Sequence, residues 1–519
     1  MANSVKKPKG FVKTYVSGII RAFMVAVLLI LQFGLIFALA FKVRTFGVWI
    51  YYAIEVGMSV VILCLLNRRA NNSFKFGWLF IIAVVPVGGF LMYLLWGRER
   101  STNRIRLKSM ELLAYGNRYE ECNNAAFEHL DAMYPDFSKS ARYMQKNHFS
   151  LYEGNAFEYY SSGEDAFEAV ICDMKAATKF IFLSFFIVAD GELWNRVKPV
   201  LLERVSKGVE IKFMYDDFGS MFRTDNRFWQ ELTNAGIEVS CFNPITKYMD
   251  KLYLNYRSHQ KMIVIDGNIG YTGGFNLADE YVNEVVRFGH WKDGGVRIEG
   301  PGVFGMTTTF LNMWGMNARR NEMDYFKYKP TIGAMKDGGF VQFISDGPEN
   351  NPANPIASTI LQLIYTAKDY LYITTPYLLL EDDMSDALIQ AAQSGVDVRL
   401  ITPAIPDKKF VYLLTQYNYG KLLSGGVRIF EYVPGFIHAK NIITGDVGII
   451  GTINLDNRSL YLHYECGAFM HDKELIEKVK ADLLETFECS DEVSYEEWLG
   501  RPWWDKVRQW IFNIFSGLV

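Results

Sequence analysis

The feature that most constrains this chain is that it repeats itself. Lys179-Phe-Ile-Phe-Leu-Ser184 has a counterpart 190 residues later in Asp369-Tyr-Leu-Tyr-Ile-Thr374. Gly208-Val-Glu-Ile-Lys-Phe213 is matched by Gly395-Val-Asp-Val-Arg-Leu400, and Gly236-Ile-Glu-Val239 by Gly426-Val-Arg-Ile429. Helix-like stretches precede these glycines, 194–207 and 384–394 in the first case. Apolar alternation after such a glycine reads as a strand leaving a helix C-terminus. Strand, helix, strand, helix in both copies predicts an α/β layer in each half. The turn-forming stretch from Pro330 to Pro355 divides the halves. Two similar halves can face one another across a pseudo-two-fold axis and bring one copy of each functional residue to a single site.

Each half also carries a short constellation of polar residues. In the first, His259-Gln-Lys261 is followed by Met-Ile-Val-Ile, then Asp266, then Gly273-Gly274-Phe-Asn276. His259 and Lys261 alternate onto one face if the segment is extended. A nucleophile beside a cation suits a phosphate; the glycine pair admits close backbone approach, and Asn276 adds a donor for a phosphoryl oxygen. In the second half, His438-Ala-Lys440 is followed by Asn-Ile-Ile-Thr, Gly445-Asp446 and Gly451-Thr-Ile-Asn454. This copy departs from the first. Gly445 stands where the acid would be, and His to Asn spans 16 residues rather than 17. Either Asp446 takes the acidic role from a shifted strand end, or the role is lost. Further on, Asp293-Gly-Gly-Val-Arg-Ile and Glu465-Cys-Gly-Ala-Phe-Met both read as an acid at a strand start. A carboxylate on a neighbouring strand can bond one ring nitrogen of each histidine, fixing its tautomer and raising its basicity. A surface acid at a strand start is the plainer alternative.

The N-terminus reads differently. Residues 22–41 are twenty residues without a charge, long enough to span a hydrocarbon core as a helix. A second apolar stretch runs from Phe46 to Leu66, interrupted by Glu55, and a third from Phe76 to Trp96 with Pro86, Gly88 and Gly89 inside it. The expectation is three transmembrane helices within residues 1–100. A basic juxtamembrane linker over 101–150 follows, then one half over 151–335, the other over 336–495, and an amphipathic C-terminal helix over 496–519. In that tail Trp503, Val507, Trp510, Ile511, Ile514 and Leu518 share a helical face, as in an interfacial helix. Lysines and arginines flank the apolar stretches on both sides, so charge leaves orientation open. The net charge of −3 disfavours a nucleic-acid partner. Six cysteines with no C-x-x-C pair argue against a zinc site or a disulfide framework.

The paired H-x-K segments resemble the two signature motifs of the phospholipase D superfamily, and the wider context is similar to bacterial cardiolipin synthases. Asn255-Tyr-Arg-Ser-His259, Tyr271-Thr-Gly-Gly-Phe-Asn276, Trp291-Lys-Asp293, Thr374-Thr-Pro-Tyr377 and Gly451-Thr-Ile-Asn-Leu-Asp-Asn-Arg-Ser459 carry the likeness, as does the hairpin ending Val85-Pro-Val-Gly-Gly-Phe-Leu-Met-Tyr-Leu-Leu-Trp-Gly97. The likeness covers residues 46–519. It implies transmembrane helices followed by a duplicated phospholipase D-like α/β/α body with a pseudo-two-fold active site. One histidine would attack phosphorus to form a phosphatidyl-histidine, and the other would protonate the leaving glycerol and deprotonate the incoming alcohol. His259 is taken as nucleophile and His438 as acid/base. Lys261, Lys440, Asn276 and Asn454 would hold the phosphate, and Asp266 and Asp446 would complete the catalytic set. Behind them, Asp293 and Glu465 would support the histidines. No metal and no cofactor are required. Two phosphatidylglycerol molecules would give cardiolipin and glycerol, at a bacterial inner membrane with the body on the cytoplasmic side. A hydrolase, a transferase using another headgroup alcohol, and a non-catalytic membrane scaffold are the competing readings. Nothing in the sequence speaks to oligomeric state.

Overall fold

The computed structural model describes residues 46–67, 72–94, 115–119, 123–244, 256–318, 323–348 and 354–518, with positions 27, 30 and 111 besides. Its centre is one mixed sheet of 15 strands among the described residues. The first half contributes, from the middle outward, Tyr152–Tyr160, Gly295–Glu299, Ile269–Gly273, Met262–Ile265, Phe180–Phe185, Glu210–Asp216 and Glu238–Phe242. The second half repeats that order as Gly339–Asp346, Glu465–His471, Val447–Gly451, Asn441–Thr444, Tyr370–Thr374, Asp397–Pro403 and Arg428–Tyr432, and Ser490–Val493 is added at its edge. The segments that match in sequence thus occupy matching places in the sheet. Tyr152–Tyr160 and Gly339–Asp346 join the halves as an antiparallel pair, irregular between Tyr152 and Asn155. Asn155 is buried there. Its amide repairs the interruption by donating to the carbonyls of Tyr152 and Gly339 and accepting from the Gly302 N–H.

Side chains alternate across the sheet with a period of two. In Phe180–Phe185, Phe180 and Phe182 enter a core layer shared by both halves, which the helices Val303–Ala318 and Lys473–Glu488 cover. Ile181, Leu183 and Phe185 face the opposite layer, under Gly163–Ala176 and Glu192–Ser206. The second half has its own opposite layer beneath Pro355–Thr366, Asp382–Gln393 and Lys409–Ser424. The sheet is therefore buried on both faces, which is why its strands read as continuous apolar runs.

The expectation of N-terminal transmembrane helices is corrected. Among the described residues no helix is long and apolar enough to cross a membrane. The first apolar stretch, 22–41, lies almost wholly outside those residues, as do residues 101–110, where the basic linker begins. The second is the helix Phe46–Leu66, with Glu55 exposed near its middle. An unpaired carboxylate there is expensive against lipid. The third breaks into Asn72–Val84, of 13 residues, and Pro86–Met92, of 7. Pro86 lacks the amide proton needed to continue the first piece. At about 1.5 Å per residue neither piece reaches the roughly 30 Å of a hydrocarbon core. The three helices pack together around Leu65, Trp78, Ile82 and Tyr93.

The tail folds as two helices, Tyr495–Gly500 and Trp503–Asn513. The latter lies along Lys409–Ser424, with Phe512 on Phe410 at 4.7 Å between ring centres. Beyond it, Phe515 meets Phe80 of the N-terminal helices at 5.6 Å. Trp503, Trp504, Val507, Trp510 and Ile511 stay exposed.

Candidate active site

Each half delivers its histidine on an extended segment that leads into a hairpin. His259 and Lys261 precede Met262–Ile265, which pairs with Ile269–Gly273; His438 and Lys440 precede Asn441–Thr444, which pairs with Val447–Gly451. The hairpins differ only in their turns. Ile265 faces Ile269 across the three residues Asp266, Gly267 and Asn268, whereas Thr444 faces Val447 across the two residues Gly445 and Asp446. The missing residue between His438 and Asn454 is therefore a turn residue, and the strand registers are the same in both halves. Gly445 has φ +55° at the first turn position, where a two-residue hairpin loop favours glycine.

This geometry moves Asp266 and Asp446 away from the histidines, and their assignment to the catalytic set is corrected. Asp266 sits in the far turn with φ +54°. Its carboxylate accepts from Thr178 N and Oγ1, Lys179 N and Phe180 N at 2.7–2.9 Å, tying the turn to the start of the neighbouring strand. Asp446, in the matching turn, takes the Asp472 N–H on its backbone carbonyl. The strand between histidine and turn is four residues long, so neither carboxylate returns to the site.

The other eight residues are brought together at the junction of the halves, and the carboxylates cross it. His259 Nδ1 lies 2.8 and 3.0 Å from the two oxygens of Glu465, which belongs to the second half. His438 Nδ1 lies 2.8 Å from Oδ2 of Asp293, which belongs to the first. Backbone bonds hold both crossings: His259 N–H to the Tyr464 carbonyl at 2.9 Å, and His438 N–H to the Lys292 carbonyl at 2.7 Å. Asp293 and Glu465 are fully buried. Gly274 packs so closely that a side chain on it would strike Asp293 and the His438 carbonyl. With Nδ1 of each histidine committed, Nε2 is the nitrogen left for chemistry. Lys261 Nζ donates to the His259 carbonyl at 2.7 Å, and Lys440 makes the matching bond to His438. Asn276 accepts from Ile187 N–H at 2.9 Å and donates to Tyr281 Oη at 2.7 Å. Asn454 leaves its amide oxygen buried with no hydrogen-bond partner.

Burial and mutual repulsion set the charges. Burial drives the His259 imidazole well below its ordinary value, and Lys261, His463, Lys440 and His438 add to the effect. His438 falls to about 3, again through burial and then Lys440, although Asp293 opposes the shift. Lys261 is lowered to about 8 and Lys440 to about 7, in both cases chiefly by burial. The two carboxyls part company. Burial raises Glu465 to about 8. Burial also pushes Asp293 upward, but His438, Lys440 and the Gly294 N–H together outweigh it and hold Asp293 below the usual carboxylate range. Such opposed shifts within one buried cluster mark an acid/base centre.

Three further residues belong to the site: Tyr281 and His463 carry no motif of their own, and Thr452 lies inside the Gly451–Asn454 segment without a role assigned from sequence. Tyr281 lies edge-on to His438 with ring centres 5.4 Å apart. Thr452 donates to Glu465 Oε2. His463, 5.7 Å from the His259 ring, stands two residues before Glu465, as Trp291 stands two before Asp293. That spacing, read in both halves at once, is the signal that could have found it. His259, His463 and Glu465 each offer one metal-type ligand atom, all within 4.8 Å of one another. Lys261, Arg458, Lys408 and Arg257 act on the same spot and favour an anion there over a cation.

Comparison with known proteins bears on the family and the fold. The family model described as "Cardiolipin synthase, PLD-like domain" matches residues 170–286 and 360–486, and "Phospholipase_D-nuclease N-terminal" matches 57–98. The chain is 31% identical to the "Major cardiolipin synthase ClsA" of Bacillus subtilis, over 91% of this chain and 98% of that protein. It is 32% identical to the "Cardiolipin synthase" of Listeria monocytogenes serotype 4b, over 87% and 95%. An uncharacterized protein of Streptococcus mutans is 35% identical over 83% and 94%. Among solved structures, a phosphatidylserine synthase of Haemophilus influenzae shares the fold at 16% identity, with TM-score 0.56 over 73% of this chain and 97% of that one.

Proposed function

The chain belongs to the cardiolipin synthase family with its two phospholipase D-like domains, and from that membership we propose that it joins two phosphatidylglycerol molecules into cardiolipin and glycerol. It is a phosphatidyltransferase, and its substrates are phospholipids. His259 Nε2 attacks the phosphorus of the first lipid. The P–O bond to the headgroup glycerol breaks, and His438 Nε2 gives the departing alkoxide its proton. The product is a phosphatidyl group on His259. A hydroxyl of the second phosphatidylglycerol then passes its proton to His438 as its oxygen bonds phosphorus and the P–N bond breaks. Lys261, Lys440 and Asn454 face the phosphoryl oxygens.

The division of labour rests on the carboxyls. Burial first, and the lysine charges after it, keep both imidazoles neutral in the empty site, and an arriving phosphodiester anion offsets the lysine part. His438, backed by the ionised Asp293, is then the better proton carrier. His259 keeps its ring proton on Nδ1, against the Glu465 oxygens, which leaves Nε2 unprotonated and nucleophilic. The chemistry takes place at a bacterial membrane surface, where the exposed Trp503, Trp504 and Trp510 would meet lipid. The observation that carries the reading is the pair of histidine–carboxylate contacts crossing between the halves.

The test is purified full-length protein in phosphatidylglycerol vesicles, with lipid products and free glycerol followed by mass spectrometry. Cardiolipin and glycerol in equal amounts, abolished by His259→Ala or His438→Ala, support the reading. Phosphatidic acid in place of cardiolipin makes the protein a hydrolase. No turnover of any lipid overturns the proposal.

A further inference from the structure

His463 is a third imidazole at the site, and the reaction above does not use it. Neither of its ring nitrogens has a hydrogen-bond partner, although both are buried. An enclosed nitrogen without a partner is destabilising, so it marks a place where a partner is missing. Glu465 Oε1 lies 3.9 Å from Nδ1, beyond hydrogen-bond reach. The His259 ring is 5.7 Å away.

The pseudo-two-fold relation shows what is unusual here. In the other half the matching position is Trp291, which stands 5.3 Å from His438. Its indole N–H donates to Asp293 Oδ2 at 3.3 Å, so that group is satisfied within the protein. Tyr281 and Phe436 complete an aromatic wall around His438. On the His259 side the wall is broken by one polar ring with nothing to bind. Burial first, then Arg458, Lys261, Lys408 and Arg257, keep that ring neutral, with one N–H to give. In the first half Asn276 spends its oxygen on the Ile187 N–H and one of its two amide N–H groups on Tyr281.

We infer that His463 binds the substrate directly, donating a hydrogen bond to a non-bridging phosphoryl oxygen beside the attacking His259. The ligand class is a phosphodiester, and the inference rests on the reaction proposed above. His463 forms no bond to phosphorus. It stabilises charge that grows on the phosphoryl oxygens as Nε2 of His259 approaches, and so acts mainly on the rate of phosphorus transfer.

Two variants test this in the vesicle assay, with inorganic tungstate as a separate oxyanion probe. His463→Ala removes the donor; His463→Asn keeps an N–H of shorter reach. The expected result for His463→Ala is a fall of about 100-fold in kcat with KM nearly unchanged, and tungstate binding weakened about tenfold or more. His463→Asn should keep at least about a tenth of the rate. Added imidazole should partly restore His463→Ala by filling the vacated space. Equal losses in both variants without imidazole rescue overturn the inference, as does a His463→Ala enzyme within about threefold of wild type that binds tungstate normally. These outcomes are read only against a wild type that makes cardiolipin. A wild type that makes none removes the proposed reaction itself, and tungstate binding by wild type and His463→Ala still decides whether His463 holds an oxyanion.

Discussion

The two halves of the site share a plan and differ in chemistry. Both place a histidine before a hairpin, hold its Nδ1 with a carboxylate from the opposite half, and set a buried lysine two residues on. Around His438 stand Trp291, Tyr281 and Phe436, with a carboxylate held ionised. Around His259 stand Phe186 and His463, with a carboxyl that burial raises to about 8. A reaction with two unlike jobs, attack and proton transfer, needs such inequality. Duplication supplies two equal histidines, and their neighbours make them unequal.

The largest expected effects would break this comparison outright. His259→Ala and His438→Ala should each lower cardiolipin formation by about 10⁴-fold or more. Rapid quench and mass spectrometry of wild-type peptides should find the phosphatidyl adduct on His259; an adduct on His438 reverses the assignment. The carboxyls come next. Asp293→Asn should lower kcat by about 10³-fold, because an amide cannot hold the His438 tautomer or stabilise its imidazolium. Glu465→Gln should lower it only about tenfold, since a largely protonated carboxyl already resembles the amide. Equal losses would erase the distinction.

A third effect is thermodynamic. Glu465 has a folded-state pKa raised above its unfolded value, so the folded state binds the extra proton and stability falls as pH rises from about 4.5 to about 8. Glu465→Gln has no charge to bury. Its melting temperature should exceed that of wild type by on the order of 5 °C at pH 8, with the gap closing near pH 4.5. The smallest effects concern the turns. Asp266→Ala removes the acceptor of four hydrogen bonds and should destabilise by about 1–2 kcal/mol in denaturant unfolding without altering kcat. Asp446→Ala, in the shorter turn, should change stability by under about 0.5 kcal/mol.

Much of this arrangement is legible in the amino-acid sequence. The repeated Gly-Val-acid segments mark out the strands of each half, because a fully buried sheet writes itself as apolar runs. The H-x-K pairs identify the histidines and lysines, because their spacing is short and local. Asp293 and Glu465 are visible as partners, but not as partners across the halves, since pairing over 145 and 206 positions leaves no local trace. Asp266 misleads for a related reason. Seven residues from His259 is close in sequence, yet an extended strand carries each residue about 3.3 Å further away. Pro86 lies inside an apolar run, and the apolarity masks the break it makes in the helix. His463 has no motif of its own and becomes visible only when the second half is laid over the first.

The crossed carboxylates have a consequence for ancestry. Each histidine depends on an acid encoded in the other half, so neither half is a self-sufficient catalyst. A chain holding only one such unit would meet the same requirement by pairing with an identical copy, each lending its acid to its twin. Fusing two copies into one polypeptide keeps that reciprocity and frees the copies to diverge, so that a tryptophan in one can become a histidine in the other.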